Sequence, residues 1–248
     1  MQMLHQGRNI IVTGSNRGIG RAIVCKLASE GANVWACARK RYDGFEEWLG
    51  EVASQNGVHI EPVYFDLNNE KQTKEAVLGI VRSKKNIDGL VNNAGVALYS
   101  KFQLISIDDV KKIFDQNYFS ALYLTQLIVR KMTKNTGSIV FLSSISGFSP
   151  EEGNIAYGGS KAAIAHAVKV LAKELAPNGI RVNAVAPGLV NTDMKQNATD
   201  EAWSTLVNKT MLGRAAEADE IANVVSFLLS DQASYITSQT IHVDGGMI

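Results

Sequence analysis

The sequence is poor in the residues that build disulfide scaffolds, zinc sites and membrane spans. Its 248 residues include only two cysteines, Cys25 and Cys37. Neither lies in a CxxC pair or in a Cys/His spacing typical of metal ligands, so we predict no structural disulfide and no metal site. No apolar run approaches the roughly 20 residues that span a bilayer, and the polar residues 1–8 do not resemble a secretory signal. We therefore expect a cytoplasmic protein that is not embedded in a membrane.

An excess of charge of either sign is also lacking. The 25 Lys and Arg residues nearly balance the 24 Asp and Glu residues, and the formal net charge is +1. A dedicated nucleic-acid-binding protein would carry a basic excess that attracts phosphates, so we expect no nucleic-acid partner. No repeat and no linker rich in Pro, Gly or Ser divides the chain, and its length allows one large core. We predict a single domain over residues 1–248.

What the sequence does contain is a regular alternation of short β-branched runs and helical patterns. The predicted strands are residues 9–12, 33–38, 59–65, 89–91, 138–142, 180–185 and 240–243. The predicted helices are residues 18–30, 45–55, 70–83, 108–133, 155–176 and 217–229. Helices of this length supply the crossovers that parallel strands need. The alternation predicts an α/β, doubly wound Rossmann-type fold: a seven-stranded parallel sheet with helices on both faces and a ligand site at the carboxyl ends of the strands.

The loop between the first strand and the first helix has the composition of a phosphate site. It reads TGSNRGIG over residues 13–20, a GxxxGxG spacing that differs from the common GxGxxG. Glycines let the backbone approach a ligand closely, and the following helix start offers N–H groups and a positive dipole end to an anion. The bland alternative is a tight turn that merely needs glycine. We expect pyrophosphate to bind the following residues: Gly14, Ser15, Asn16, Arg17, Gly18, Ile19 and Gly20.

Four motifs in this order resemble the short-chain dehydrogenase/reductase family. They are TGxxxGIG at residues 13–20, NNAG at residues 92–95, the YxxxK pair Tyr157 and Lys161, and Pro187-Gly188. The resemblance covers essentially the whole chain and implies hydride transfer between a nicotinamide cofactor and a carbonyl or alcohol. It further implies cofactor contacts by the following residues: Asp66, Leu67, Asn93, Ala94, Gly95, Tyr157, Lys161, Pro187, Gly188, Val190 and Thr192. For Asp66 a plain loop or capping role is the alternative, and Asn93 also supports the sheet in the family.

The end of the second strand favours NADP over NAD. An acidic residue there would bind the ribose 2′-hydroxyl of NAD and repel a 2′-phosphate. This strand ends at Ala38, where NAD-dependent members of the family usually have Asp, and Arg39 follows. Arg39 and Arg17 are suited to clamp a 2′-phosphate. The alternative is that residues 39–41 form a solvated basic loop.

A phenol and an amine form the core of the predicted reaction centre. Tyr157 and Lys161 are four residues apart in a helical pattern, so they share one face. A nearby ammonium would lower the pKa of the phenol from about 10 toward the working range. Such a pair is common by chance, and alone it would more often be a packing and surface pair. In the family the lysine also binds the nicotinamide ribose.

Two further polar residues complete the catalytic group that the resemblance implies. Ser144, just after the fifth strand, matches the family's catalytic serine and would polarise a substrate carbonyl. Ser143 and Ser146 lie close by, so a shift by one residue stays open. Asn117 lies on the apolar stripe of a predicted helix and must be hydrogen-bonded there. In the family this amide binds a water that links Lys161 to solvent, and a structural amide at a kink is the alternative.

The substrate is less sharply indicated. Residues 189–216 lack a clear strand or long helix and are expected to form a substrate loop. In it, Met194, Trp203, Leu206 and Met211 could pack as a lid or as short core helices. The C-terminal region resembles 3-oxoacyl-(acyl-carrier-protein) reductases, which implies NADPH-dependent reduction of a 3-oxoacyl thioester of acyl carrier protein or CoA in fatty acid biosynthesis. Carrier-protein reductases often have arginines where this chain has Asn135 and Asn178.

Alternatives of other classes therefore stay open. One is a family member that acts on a sugar, a steroid or another small ketone. Another is a non-catalytic cofactor-binding scaffold, against which the presence of both Tyr157 and Lys161 argues. The surplus of small apolar residues on the predicted helix 155–176 favours close approach of another helix. Together with the family resemblance it predicts a homotetramer.

Overall fold

The computed structural model describes residues 3–83, 85–132, 136–192 and 200–247. The strands are β1 (Asn9–Thr13), β2 (Asn33–Ala38), β3 (Ile60–Tyr64), β4 (Gly89–Asn92), β5 (Ser138–Leu142), β6 (Arg181–Pro187), β7 (Val190–Asn191), β8 (Ala216–Glu217) and β9 (Thr240–Val243). The α-helices are α1 (Gly18–Ser29), α2 (Phe45–Asn56), α3 (Glu70–Arg82), α4 (Ile107–Phe114), α5 (Ser120–Val129), α6 (Ile155–Leu175), α7 (Asp200–Asn208) and α8 (Ala218–Leu229). Most observed bounds lie within two residues of the predicted ones.

Seven strands form one parallel sheet in the order β3-β2-β1-β4-β5-β6-β9. The chain steps outward from β1 to β3 and then returns to place β4 on the other side of β1. A crevice therefore opens between the carboxyl ends of β1 and β4, where doubly wound sheets bind ligands. The predicted fold class is confirmed, and β7 and β8 form a separate short pair.

Apolar cores lie on both faces of this sheet. Successive strand residues point to opposite faces, and in β1 Ile10 and Val12 enter one core while Ile11 enters the other. The first core is covered by α1, α2 and α8, and the second by α3, α5 and α6. Burial on both faces explains why the strands are nearly continuous in apolar residues. The two layers of helices hold the carboxyl ends of the strands in fixed positions.

The helix predicted over residues 108–133 is interrupted, which corrects that prediction. α4 ends at Phe114, a π-helical turn occupies Asp115–Phe119, and α5 runs from Ser120 only to Val129. The apolar spacing continues through the turn, so periodicity alone does not reveal it. Turns of this kind insert one residue into a helix and are frequent at functional sites.

The expected substrate loop, residues 189–216, has more structure than predicted. It contains α7, whose nine residues carry too short a periodic pattern to be predicted with the longer helices. Val190 pairs with Ala216, so the two ends of this loop are joined. Trp203 and Leu206 are half-buried and Met211 is exposed. Met194 lies outside the described residues.

Within the described ranges, no helix is both long enough and apolar enough to cross a membrane. The same ranges contain no group of three or more His, Cys, Asp or Glu side chains that could hold a metal ion. Cys25 and Cys37 are both free thiols.

Candidate active site

The loop between β1 and α1 is shaped by glycine. Gly14 has a φ of +64°, which L side chains rarely adopt. At Gly20 a Cβ would lie 2.1 Å from the Gly14 oxygen and 2.5 Å from Asn93 Nδ2, so no larger residue fits. α1 begins at Gly18, and the side chain of Arg17 does not cap it. The first-turn N–H groups therefore point into the loop, which is the environment that favours a bound phosphate.

Hydrogen bonds cross the crevice between β1 and β4. Asn93 Nδ2 donates to the carbonyl oxygens of Thr13 and Gly14 at 2.9 and 3.1 Å. The Thr13 hydroxyl accepts from the N–H groups of Asn93 and Ala94 at 3.0 Å each and donates to the Val91 carbonyl at 3.2 Å. The Asn93 side chain thus supports the sheet, and this leaves the backbone after β4 as the ligand-facing surface of the motif.

The other residues of this loop either tie it to the sheet or are partly accessible to a ligand. Ser15 is buried, and its hydroxyl donates to the Cys37 carbonyl at 2.9 Å, which ties the loop to β2. Asn16 and Ile19 are half-buried. A Cβ built on Gly18 would lie 3.6 Å from Thr192 Cγ2. Thr192, which follows the end of β6, therefore lies beside the glycine loop.

Two exposed arginines follow the carboxyl ends of β1 and β2 in the chain. Ala38 ends β2 without a carboxylate, and Arg39 and Arg17 are both exposed at this edge of the sheet. Arg41 is used elsewhere, because it pairs with Glu46 at 3.4 Å and stacks over the Tyr64 ring. Within the basic segment after β2, Arg41 therefore has an acidic and an aromatic partner, and Arg39 is exposed at the carboxyl end of β2.

Asp66 and Leu67 follow β3, next to the end of β2. One oxygen of the Asp66 carboxylate accepts from the Asn68 N–H at 3.0 Å, which closes a turn within its own chain. The backbone N–H of Asp66 donates to Gln72 Oε1 at 2.9 Å. Leu67 packs against the second core. These contacts support the loop role for the Asp66 carboxylate and leave its second oxygen for a ligand.

Two hydroxyl groups meet at the centre of the site. The Ser144 side chain, just after β5, lies beside the Tyr157 hydroxyl in the first turn of α6 and lowers the pKa of that phenol. The Ser146 N–H donates to Ser144 Oγ at 3.2 Å and so orients it. Ser143 instead donates to the Lys161 carbonyl at 2.9 Å. Of Ser143 and Ser144, the latter is the one whose side chain acts on the phenol.

Burial governs the ionisation of the phenol and the amine. Lys161 is buried, its Nζ donates to the Leu142 carbonyl at 2.7 Å, and it lies 5.8 Å from the centroid of the Tyr157 ring. Loss of solvent lowers the pKa of Lys161 to about 8. Burial raises the pKa of Tyr157, and the Ser144 hydrogen bond offsets only part of this. The expectation that Lys161 brings the phenol pKa down is wrong for this arrangement, because desolvation is the larger effect.

Asn117 lies buried in the π-helical turn. Its Oδ1 accepts from the Val96 N–H at 2.8 Å, and its Nδ2 donates to the Val96 carbonyl at 2.9 Å and to Ser160 Oγ at 3.0 Å. A Cβ on Gly95 would lie 3.2 Å from Asn117 Oδ1 and 3.4 Å from Lys161 Nζ, so the three residues meet. Both amide hydrogens are used for structure. The second lone pair of Oδ1 is the side-chain group that remains for a water beside Lys161.

Sequence reasoning missed one residue of this site. Tyr99, in the loop after β4, places its ring 5.8 Å from the Tyr157 ring, edge-on, and its phenol lies beside the Ser146 side chain. The loop has no periodicity that would have distinguished Tyr99 from its apolar neighbours. Its position four residues after the end of the NNAG motif was the only available signal.

Comparison with known proteins gives consistent matches over the whole chain. A family model described as enoyl-(acyl carrier protein) reductase matches residues 14–248. The 3-oxoacyl-(acyl-carrier-protein) reductase of Aquifex aeolicus is 40% identical over 250 residues, with 100% of both chains covered. The enzyme of the same name from Thermotoga maritima is 35% identical over 244 residues, with 98% of each covered. The crystal structure of a short chain dehydrogenase from Burkholderia cenocepacia J2315 in complex with NADP has a TM-score of 0.91 at 28% identity and 98% coverage of both chains.

Proposed function

Because the chain belongs to the short-chain dehydrogenase/reductase family, we propose that it is an NADPH-dependent reductase that converts a carbonyl to an alcohol. Its proposed substrate is a 3-oxoacyl thioester of acyl carrier protein or CoA. The observation that carries this proposal is that the Ser144 side chain and the buried Lys161 both lie beside the Tyr157 phenol. These are the groups that polarise a carbonyl and deliver a proton to it.

The two hydroxyls act on the same substrate atom. Ser144 and Tyr157 each donate to the carbonyl oxygen, which becomes more electrophilic at carbon as a result. Bound NADPH supplies the hydride for that carbon. Tyr157 then transfers its proton to the oxygen as negative charge develops there. Because burial keeps Tyr157 protonated at neutral pH, the phenol is in the form that reduction requires.

The chain's own residues fit the cofactor. The glycine loop and the start of α1 hold the pyrophosphate, and Arg39 and Arg17 hold the 2′-phosphate. Gly95 lacks the Cβ that would crowd Asn117 Oδ1 and Lys161 Nζ, so both polar groups stay close to the backbone after β4. We assign the nicotinamide ribose to this part of the site, with Lys161 as its hydrogen-bond donor. Asp66, Leu67, Asn93, Ala94, Pro187, Gly188, Val190 and Thr192 line the rest of the cofactor site in this proposal.

The names of the two bacterial relatives support a 3-oxoacyl thioester as substrate. The family model's description makes enoyl reduction a second candidate. Two hydroxyl donors on one oxygen suit a ketone better, because the product of ketone reduction is an alkoxide that needs a proton at that atom.

Recognition of the carrier is a separate question. Asn178 is exposed in the turn after α6 and offers no positive charge, whereas Lys131 and Lys173 are exposed. Asn135 and Lys134 lie outside the described residues.

The remaining parts of the proposal concern the whole chain. Residues 1–248 act as a single cofactor-binding and catalytic domain, with residues 189–216 as its substrate loop. The protein is a homotetramer, a state favoured by exposed Phe119 beside α5 and exposed Val170 on α6. A cytoplasmic location is supported by the two free thiols.

A panel of substrates tests the activity. NADPH oxidation is followed with acetoacetyl-carrier protein, acetoacetyl-CoA, crotonyl-CoA, and sugar and steroid ketones. We expect the acetoacetyl thioesters to have the highest kcat/KM. A preference for crotonyl-CoA would favour enoyl reduction instead. A clear preference for a sugar or steroid ketone would refute the substrate class, and no turnover of any carbonyl would favour a non-catalytic role.

A further inference from the structure

Tyr99 is a second phenol at the reaction centre, and the proposed proton transfer leaves it without a task. Its ring meets the Tyr157 ring edge-on, with centroids 5.8 Å apart and planes inclined by 61°. It is nevertheless 57% exposed. Tyr99 is thus in contact with the reacting phenol on one side and open to a ligand on the other.

The hydroxyl of Tyr99 is available as a hydrogen-bond donor. The Ser146 side chain beside it lowers the pKa of Tyr99, but loss of solvent is the larger effect and raises the pKa to about 12. The phenol therefore keeps its proton at neutral pH. A neutral phenol has one O–H to donate.

The backbone holds Tyr99 in this position. The Ser100 N–H donates to the Gly153 carbonyl at 2.9 Å, and Lys101 pairs with Glu152 at 3.7 Å. Gly153 has a φ of +78°, and a Cβ there would come within 3.4 Å of the Ser100 nitrogen. The loop after β4 is thus fixed to the segment just before α6. Tyr99 and Tyr157 are held against each other from both sides of this contact.

We propose that Tyr99 determines specificity by donating its hydroxyl to the thioester carbonyl of the substrate, while Ser144 and Tyr157 hold the ketone that is reduced. This inference rests on the proposed function. In a 3-oxoacyl thioester one carbon separates the two carbonyls, so donors on two neighbouring rings can each take one of them. A monoketone lacks the second acceptor, which would leave the Tyr99 hydroxyl without its partner.

The proposal predicts a particular kinetic signature for Tyr99→Phe. The thioester carbonyl does not change during ketone reduction, so the hydrogen bond is as strong in the ground state as in the transition state. Its loss should therefore raise KM and leave kcat nearly unchanged. The loss of one neutral hydrogen bond corresponds to an increase of about 3- to 10-fold in KM. A role limited to positioning Ser144 through Ser146 would instead lower kcat.

The experiment compares Tyr99→Phe with the wild type and with Tyr235→Phe. Tyr235 is fully exposed and precedes Ile236, whose carbonyl contacts Arg181 at the amino end of β6, far from the site. KM and kcat are measured with acetoacetyl-CoA, and NADPH binding is measured by fluorescence. We expect a 3- to 10-fold higher KM for Tyr99→Phe alone, with unchanged kcat and NADPH affinity.

The outcomes separate this inference from the proposed function. An unchanged KM, or a loss confined to kcat, would overturn the role of Tyr99 while the activity itself stands. If the wild type fails to reduce acetoacetyl-CoA and acetoacetyl-carrier protein, the proposed function fails first, and this inference fails with it.

Discussion

At the scale of single residues, desolvation has more influence on the reaction centre than charge pairing. It raises the pKa of Tyr157 and lowers that of Lys161 to about 8. Each shift favours the neutral form of its group. The neutral phenol of Tyr157 is a proton donor, and the lowered pKa means that the Lys161 ammonium holds its proton less tightly than a solvated lysine does. The Tyr157 phenol is therefore protonated near neutral pH, which is the form that donates a proton during reduction.

Removal of the Tyr157 hydroxyl tests this assignment. Tyr157→Phe should lower kcat by about 10²- to 10⁴-fold, because the proton donor is lost while the ring remains. NADPH affinity, measured by fluorescence titration, should stay near that of the wild type. Lys161→Ala should impair both turnover and NADPH binding, since the amine serves the ribose and the phenol. A loss of less than tenfold in Tyr157→Phe would show that the acid is another residue.

Arg39 is one of the two arginines to which the proposal assigns the 2′-phosphate of NADPH. Arg39→Asp should reduce or reverse the preference for NADPH over NADH, because a carboxylate beside β2 repels a 2′-phosphate and accepts from a ribose hydroxyl. Lys40→Ala is the matched control, since Lys40 lies over the Tyr42 ring. The measurement is the ratio of the two dissociation constants. Equal or tighter NADH binding by the wild type would contradict the NADPH assignment.

At the scale of elements, the sequence predicts what depends on local pattern. The strands and the long helices follow from hydrophobic periodicity, and the loop between β1 and α1 follows from glycine spacing. The π-helical turn at Asp115–Phe119 does not, because its extra residue leaves the apolar spacing almost intact. Nor do Tyr99 and the pKa of Tyr157, since both depend on which loop packs against α6. Long-range contact is what a single sequence does not display.

The π-helical turn should depend on the amide that it orients. Asn117→Ala would leave the Val96 backbone groups and the Ser160 hydroxyl without their partner. Only the contact with Ser160 is fully buried, and a buried group left unpaired costs about 1–3 kcal/mol, so we expect a loss of at least about 1 kcal/mol in the free energy of unfolding. Urea denaturation measures it. Gln126→Ala, at an exposed position of α5, should change stability little, and an equally small effect at Asn117 would disprove the structural role.

At the scale of the whole molecule, a buried histidine links the N-terminal segment to α1 and α8. His5 Nε2 lies 2.9 Å from Ser226 Oγ and 3.7 Å from Glu30, and burial lowers the pKa of His5 from 6.5 to about 4. Between these values the unfolded chain binds a proton that the folded chain does not. The contribution of His5 to the free energy of unfolding is therefore complete above pH 6.5. It is lost as the pH falls to 4, and the loss is about 3 kcal/mol in total. Urea denaturation of His5→Asn should lack this part of the pH dependence; an identical pH profile would contradict it.

The exposed apolar groups and the edges of the sheet indicate where copies of this chain associate. The sequence predicts that small apolar residues of α6 face another helix of a second copy, but three of them, Ala165, Ala167 and Ala172, are buried within the chain instead. The exposed apolar groups are Phe119 at 55% and Val170 at 43%. The two edges of the sheet also differ, because Pro62 interrupts the edge strand β3 whereas β9 contains no proline. An edge without such a block is open to pairing with another copy.

We therefore expect light scattering at micromolar concentration to give the mass of four chains, with the α5 and α6 surface at one interface and β9 at another. Changing Phe119 and Val170 together to Asp should reduce the mass toward that of a dimer, because two carboxylates would have to be buried without partners. Exposed Phe102→Asp, in the loop before α4, serves as the apolar control. A wild-type mass of one chain would refute the tetramer. A tetramer that persists in the double variant would place its interface on other surfaces.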